Sequence, residues 1–206
     1  MIIKKVSKQF SHFPPGHRKE SDGKVVPPTR PMGTTNCPAV YSLIKSDVFK
    51  PLTLALRSMI GTAEAEALAE FKLLNFQSVT SAGIFRRRCA SGIITPSDLL
   101  TIDIDGLQSE AAAREMMHRL IDDPMIEVDL AFISPKARGV KAFVTIPDWL
   151  REKTFKQAFD FFTKHIAATH GVLIDQSGSD ISRLALLCWD EHAYLNPKYF
   201  INNTNS

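Results

Sequence analysis

Cysteine is scarce in this chain of 206 residues: Cys37, Cys89 and Cys188 are the three, and no two share a Cys-x-x-Cys spacing. That argues against a disulfide framework or a cysteine-held structural zinc, and it fits a protein of the reducing cytoplasm. Long apolar runs are also missing. No segment reads as a membrane span, and the opening "MIIKKVSKQF" lacks the apolar core of a signal peptide. There is no Gly-x-Ser-x-Gly elbow, no Walker-type phosphate loop and no Cys/His nucleophile arrangement. The histidines His12, His17, His118, His165, His170 and His192 show no ligand spacing, and His165 and His170 are expected as surface groups near a helix end. Neither sign of charge dominates. The net charge of +3 permits nucleic-acid binding without arguing for it. What remains is a hydrophobic fraction of 44% in a chain long enough for one domain with a sizeable core.

The first forty residues differ from the rest. "SHFPPGHRKESDGKVVPPTRPMGTTNCP" is rich in Pro, Gly and charge without a period, so 1–40 reads as an arm or long loop, opened by a short strand at Ile2–Val6. Residues 41–200 then form the domain proper. "KPLTLALRSMIG" sets Leu52, Leu56 and Met59 on one helical face, and Thr62 is placed to cap a second helix, "AEAEALAEFKLLN". "FQSVTSAGIFRRR" reads as a strand or two short ones kinked at Gly83, and Ser109 caps a helix running through Ile121. "IEVDLAFIS" and "GVKAFVTI", joined by the tight basic turn "SPKAR", should pair antiparallel. A long amphipathic helix starts at Asp148, and "GVLID" and "RLALLCW" flank the polar loop "QSGSDIS". The pattern predicts an α+β domain, with strands at about 99–105, 126–133, 139–146, 172–175 and 183–188 in one largely antiparallel sheet. Helices at about 109–121 and 149–169 pack on it.

The strongest chemical signal is "LLTIDIDGL", Leu99 to Leu107. Aspartate is a poor strand former, yet two stand in an otherwise apolar strand. Alternation puts Thr101, Asp103 and Asp105 on one face and Leu100, Ile102 and Ile104 on the other. Carboxylates two residues apart on one face lie roughly 6.5–7 Å apart at Cα, and they repel unless a cation sits near them. A solvent-facing strand end is the alternative and does not call for this pattern. Asp175 also leaves an apolar stretch; it either caps the turn "DQSGSD" or completes a metal site, since Mg²⁺ commonly takes a few carboxylates together with substrate phosphates.

"SPKARGVK" gathers Ser134, Lys136, Arg138 and Lys141 around Gly139, whose missing side chain lets the backbone approach an anion closely. Lys141 shares a strand face with Phe143 and Thr145, and it serves either as a snorkelling lysine or as a phosphate contact. Arg183 either pairs with Asp180 or binds phosphate bidentately. "FRRR", Phe85 to Arg88, is a further basic cluster and weak support for a nucleic-acid path. From the residues alone the chain reaches metal-dependent phosphate chemistry on an α+β sheet, without a substrate.

The ordered set of an Asp-x-Asp strand, the "SPKARGVKAFV" hairpin and "LIDQSGSDISRLALL" resembles the archaeo-eukaryotic primase–polymerase superfamily. More closely, it is similar to the primase-like domains of Bacteroidetes mobile elements, virulence-protein-E N-terminal-like or BT4734-like. There a "vtxsGxFxxR" segment precedes the Asp-x-Asp strand, as "QSVTSAGIFRRR" does here. The ending "DxSxSDxSRxxxLxxDxxxYxNP" is matched by "DQSGSDISRLALLCWDEHAYLNP". The likeness spans roughly Ser42 to Pro197.

The resemblance implies an RRM-like catalytic sheet and a two-metal nucleotidyl transferase acting in replication of a mobile element or plasmid. It implies Mg²⁺ or Mn²⁺ held by Asp103, Asp105 and Asp175, and a nucleoside triphosphate and single-stranded DNA or RNA template as partners. Ser134, Lys136, Arg138, Lys141 and Arg183 would bind the nucleotide. A helicase or other replication module would sit on a separate chain. Lys141 stands where the superfamily's second motif normally ends in histidine, and Ala137 where glycine is usual. Lysine keeps a cationic donor but loses imidazole's proton chemistry. The first rival is therefore a nucleic-acid- or nucleotide-binding module that keeps the primase fold with weak catalysis or none. The second is a sugar transferase with a metal-binding Asp-x-Asp, which would need a βαβ arrangement upstream.

Overall fold

The computed structural model of the protein describes residues 8–200, so the strand expected at Ile2–Val6 lies outside the described residues. Four short strands come first: β1 (Gln9–Phe13), β2 (His17–Arg18), β3 (Val25–Val26) and β4 (Gly33–Asn36). Helices α1 (Cys37–Lys45), α2 (Lys50–Ser58) and α3 (Ala65–Asn75) follow. Then come β5 (Ser78–Thr80), β6 (Gly83–Phe85), β7 (Ile93–Pro96), β8 (Leu99–Ile104) and α4 (Glu110–Ile121). The chain continues with β9 (Val128–Ile133), β10 (Val140–Thr145), α5 (Phe155–His170), β11 (Ala185–Leu186) and β12 (Tyr194–Leu195).

This is an α+β fold whose sheets are antiparallel. The central sheet has the order β12-β9-β10-β8, with the expected β9–β10 hairpin at its middle. Its strands alternate as the sequence predicts. Leu100, Ile102 and Ile104 join Val140, Ala142 and Val144 against Met117 and Leu120 of α4 and Phe159 and Phe162 of α5. The opposite face, with Leu99, Phe132 and Phe143, packs on a second core that includes Phe10 of β1, Val79 of β5, and Val40, Ile44 and Leu56 of the helices. Phe143 is edge-on to both Phe10 (5.8 Å) and Phe132 (6.1 Å). Burial on both faces explains why β9 and β10 read as nearly continuous apolar runs.

One sheet was expected; the described residues form two four-stranded sheets and two two-stranded ones, β2-β3 and β6-β7. The second four-stranded sheet has the order β11-β5-β1-β4. Of 183–188 only Ala185 and Leu186 pair as a strand, and they pair with Val79 and Ser78 of this second sheet. Ala185 and Leu187 project into the second core, so their apolar alternation serves a different partner from the one expected. Residues 172–175 form no strand. They run extended beside β8 with a backbone bond from Asp175 N–H to Asp103 O (2.8 Å) before turning into a 3₁₀ segment, Gln176–Ser179. The stretch expected as an arm contributes β1 and β4, and Phe10 and Phe13 are fully buried. Pro- and Gly-rich turns on either side conceal a strand buried on both faces.

Helix ends follow local chemistry. Ser109 caps α4, its Oγ accepting the Ala112 N–H (3.1 Å). Thr62 does not cap α3; Glu64 holds that position without a side-chain bond. The helix expected from Asp148 is a 3₁₀ turn, Asp148–Leu150, and α5 starts later, behind a capping box. There Thr154 Oγ1 accepts the Gln157 N–H (3.2 Å) and Gln157 Oε1 accepts the Thr154 N–H (2.9 Å). No helix among the described residues is long and apolar enough to cross a membrane.

His165 and His170 are not the surface groups expected. Both Nε2 atoms donate to Asp123 Oδ2, at 2.8 and 2.7 Å, tying the end of α5 to the turn after α4. Burial pushes the Asp123 carboxyl up, but the Met125 N–H and the two imidazoles outweigh it and hold it below the usual carboxylate range. A carboxyl lowered in the fold stabilises above its unfolded pKa of about 3.9 and stops doing so as pH falls through the folded value. Asp123→Asn should therefore lower unfolding stability at pH 7 by about 1–3 kcal/mol. In denaturant titrations that gap should close below about pH 4; a gap that persists unchanged in acid would contradict the assignment.

Candidate functional site

The site begins with a cross-strand pair. Antiparallel register sets Lys141 of β10 directly opposite Asp103 of β8, and Phe143 opposite Thr101. Opposed residues share a face, and the Lys141 ammonium is paired with Asp103 Oδ2, the two side chains being only 10% and 14% exposed. Asp103 Oδ1 is buried and has no hydrogen-bond partner. An orphaned buried carboxylate oxygen is costly unless something else binds it.

Asp105 follows just past the end of β8, where Gly106 turns the chain at φ +76°. Gly139 of the facing turn packs against this corner. A Cβ there would lie 2.4 Å from Ile104 O and 2.8 Å from Asp105 Oδ1, so only glycine lets the two loops close. Close approach was expected of Gly139, but toward an anion; the structure shows it seated on β8 and Asp105. Asp175 arrives from the other side. Its backbone bond to Asp103 and the packing of Gly178 against Phe159 hold it at the head of the 3₁₀ turn.

One carboxylate oxygen each from Asp103, Asp105 and Asp175 lie within 4.8 Å of one another. Their environments differ. Burial and the neighbouring Asp103 push the Asp105 carboxyl up, although the residue as a whole remains exposed. Burial pushes Asp175 up too, but bonds from Ser177 Oγ (2.6 Å) and Ser177 N–H (3.0 Å), with the Arg183 charge, outweigh it and hold it low. Clustered carboxylates with an unpartnered oxygen offer the oxygen-rich donor set that a hard divalent cation takes.

The basic residues surround this cluster. A cavity of about 460 Å³, within the usual range for small-molecule sites, is lined by Asp103 and Asp105 together with Ser134, Lys136, Arg138, Lys141 and Arg183. Ser134 is buried, whereas Lys136 and Arg138 are exposed at the turn. Ala137 occupies the left-handed region at φ +59°, where glycine is favoured. Arg57 of α2 anchors the turn by donating from Nε to Pro135 O (3.3 Å). Arg183 makes no ion pair with Asp180, which accepts from Ser182 instead; it pairs with Asp175 at 3.3 Å. Arg86, Arg87 and Arg88 do not line the cavity, and Arg88 Nε donates to Pro28 O (2.8 Å).

Sequence reasoning missed Ser177, which orients Asp175, and Lys72 of α3, which lines the cavity with Leu68. The signal for Lys72 was its position four residues after a buried leucine on the same helix face.

In comparisons with known proteins, a model of the BT4734-like N-terminal domain matches residues 73–195, more than half of the chain. No curated protein and no solved structure matches it.

A carboxyl pushed up in the fold works against stability once it ionises. For Asp105 that penalty is absent below the unfolded pKa of about 3.9 and grows as pH rises through the folded value. Asp105→Asn, assayed in EDTA, should therefore raise the melting temperature at pH 7 and leave it near wild type in acid. A lower melting temperature at pH 7 would contradict the electrostatics described.

Proposed function

We propose, for a chain that belongs to the BT4734-like N-terminal domain family, that the cleft binds a nucleoside triphosphate and transfers its nucleotidyl group on a single-stranded DNA or RNA template. The observation that carries this is convergence: three carboxylates cluster within 4.8 Å of one another, and two of them, Asp103 and Asp105, line one open cavity with the basic turn. Asp103, Asp105 and Asp175 would hold Mg²⁺ or Mn²⁺. Such a cation supplies charge neutralisation and polarises phosphoryl oxygens. The family match is consistent with the primase–polymerase superfamily, and replication of a mobile element is the setting the resemblance suggests.

The chain's own residues have distinct tasks. With Asp103 committed to a cation, the Lys141 ammonium is free to take phosphate. Lys136 and Arg138, exposed at the turn, face solvent where a triphosphate would enter. Arg183 holds Asp175 in place and presents its remaining donors to the cavity. Phosphoryl transfer depends mainly on positioning and charge stabilisation, so a lysine at 141 can serve where imidazole proton chemistry is absent.

The second reading, a binding module with little or no catalysis, is favoured by one feature: the buried Lys141–Asp103 pair itself occupies a carboxylate oxygen needed for metal. The sugar-transferase alternative loses its support, because every strand pair among the described residues is antiparallel and supplies no βαβ unit.

A primer-synthesis assay with labelled nucleotides, single-stranded template and Mg²⁺ or Mn²⁺ separates these. Product that disappears in Asp103→Asn supports transfer; nucleotide binding without product supports the module; neither binding nor product contradicts both. Lys141→Ala should weaken ATP binding roughly ten- to a hundredfold, the effect of losing a charged hydrogen bond of about 1.5–3 kcal/mol. The same substitution strands Asp103, so without metal it should also destabilise the fold by about 3–5 kcal/mol. Added Mg²⁺ should recover more of that loss in the variant than it adds to wild type.

A further inference from the structure

Part of the cleft's lining comes from α3 and the segment after α2. Ile60, after α2, and Leu68 and Lys72 of α3 line the cavity together with Leu184 and Leu186. Lys72 is half-buried, and its ammonium makes no hydrogen bond or ion pair among the described residues. Its charged neighbours are Lys136, Asp105, Lys141 and Asp103.

The charges of the cleft do not balance. Lys141 is taken by Asp103 and Arg183 by Asp175. What remains is Lys72, Lys136 and Arg138 against Asp105. Like charges gathered beside a partly desolvated cavity repel, and an anion entering the cavity relieves that repulsion. A bare inorganic anion would use only the polar end. The apolar side chains Ile60, Leu68, Leu184 and Leu186 form a wall suited to the face of a base or sugar.

Resting on the nucleotide-binding function proposed above, we infer that Lys72 is a further triphosphate-binding residue, supplied by α3. Lys72 lines the cleft from α3 with Lys136 of the basic turn among its charged neighbours, so a lysine of the helical layer joins the turn's cations at the triphosphate.

Calorimetric titration of the full chain with ATP and, separately, with inorganic tripolyphosphate, each with Mn²⁺, tests this. Lys72→Met keeps the apolar stem and removes the charge. It should weaken both ligands roughly ten- to a hundredfold, with Mn²⁺ affinity in the absence of nucleotide and the melting temperature close to wild type. Lys72→Arg should recover much of the loss. Wild-type affinity for both ligands in Lys72→Met would overturn the inference while nucleotide binding stands, the lysine then merely snorkelling. Loss confined to ATP would also overturn it, placing Lys72 at the base instead of the phosphates. If wild type binds neither ligand, nucleotide binding itself fails, and the inference with it.

Discussion

The pairing of Lys141 with Asp103 across β10 and β8 is the interaction on which the rest of the site depends. Six opposed pairs, from Val140–Ile104 to Thr145–Leu99, fix the register in which Lys141 meets Asp103. A slip of one residue would turn Lys141 into the apolar layer beneath α4 and α5 and bring Val140 or Ala142 into the cleft. Both faces of the central sheet are buried, so neither face could accept the exchanged side chains. The same register carries Phe143 onto Phe10 and so joins the strand pair that bears Lys141 and Asp103 to the second core. Fold and site are thus set by one alignment of two strands.

Around that pair the chain concentrates charge that a stable core would avoid. Asp105 sits beside Asp103 with its carboxyl pushed up, while Asp175 is held ionised by Ser177 and Arg183. The carboxylates are held in place by tight backbone packing. Gly139 closes on Ile104 and Asp105, and Gly178 lies against Phe159, at distances no side chain would permit. Rigid supports of this kind keep ligand atoms together despite their repulsion, the condition for binding a cation without rebuilding the site. Stability is given up locally and recovered in the two cores on either side of the sheet.

Much of this was legible in the residues. Alternation in "LLTIDID" put Asp103 and Asp105 on one strand face and alternation in "GVKAFVT" put Lys141 with Phe143, while "SPKARG" announced the β9–β10 hairpin; the β8–β10 pairing brings them together. Ser109 and the Thr154–Gln157 pair show that helix starts are equally local, although the α5 box was passed over in favour of Asp148. The partners of strands were not legible. Apolar alternation in "RLALLCW" tells which side chains are buried but not that Ala185 pairs with Val79, a contact more than a hundred residues away in the chain. "QFSHF" hides because β1 buries both faces and so shows no alternation. The spacing of Lys72 from Leu68 puts the two on one face of α3, but that this face lines the cleft depends on where α3 packs.

The central claim is that Asp103, Asp105 and Asp175 act together as a cation site that receives nucleotide phosphates. Anomalous diffraction from crystals grown with Mn²⁺ and a non-hydrolysable nucleoside triphosphate tests it most directly. The account predicts manganese peaks bonded to oxygens of all three aspartates, with the Lys141 ammonium turned from Asp103 to a phosphate oxygen. Manganese bound elsewhere, or a nucleotide seated in the cleft with Lys141 still on Asp103 and no metal at the aspartates, would contradict it.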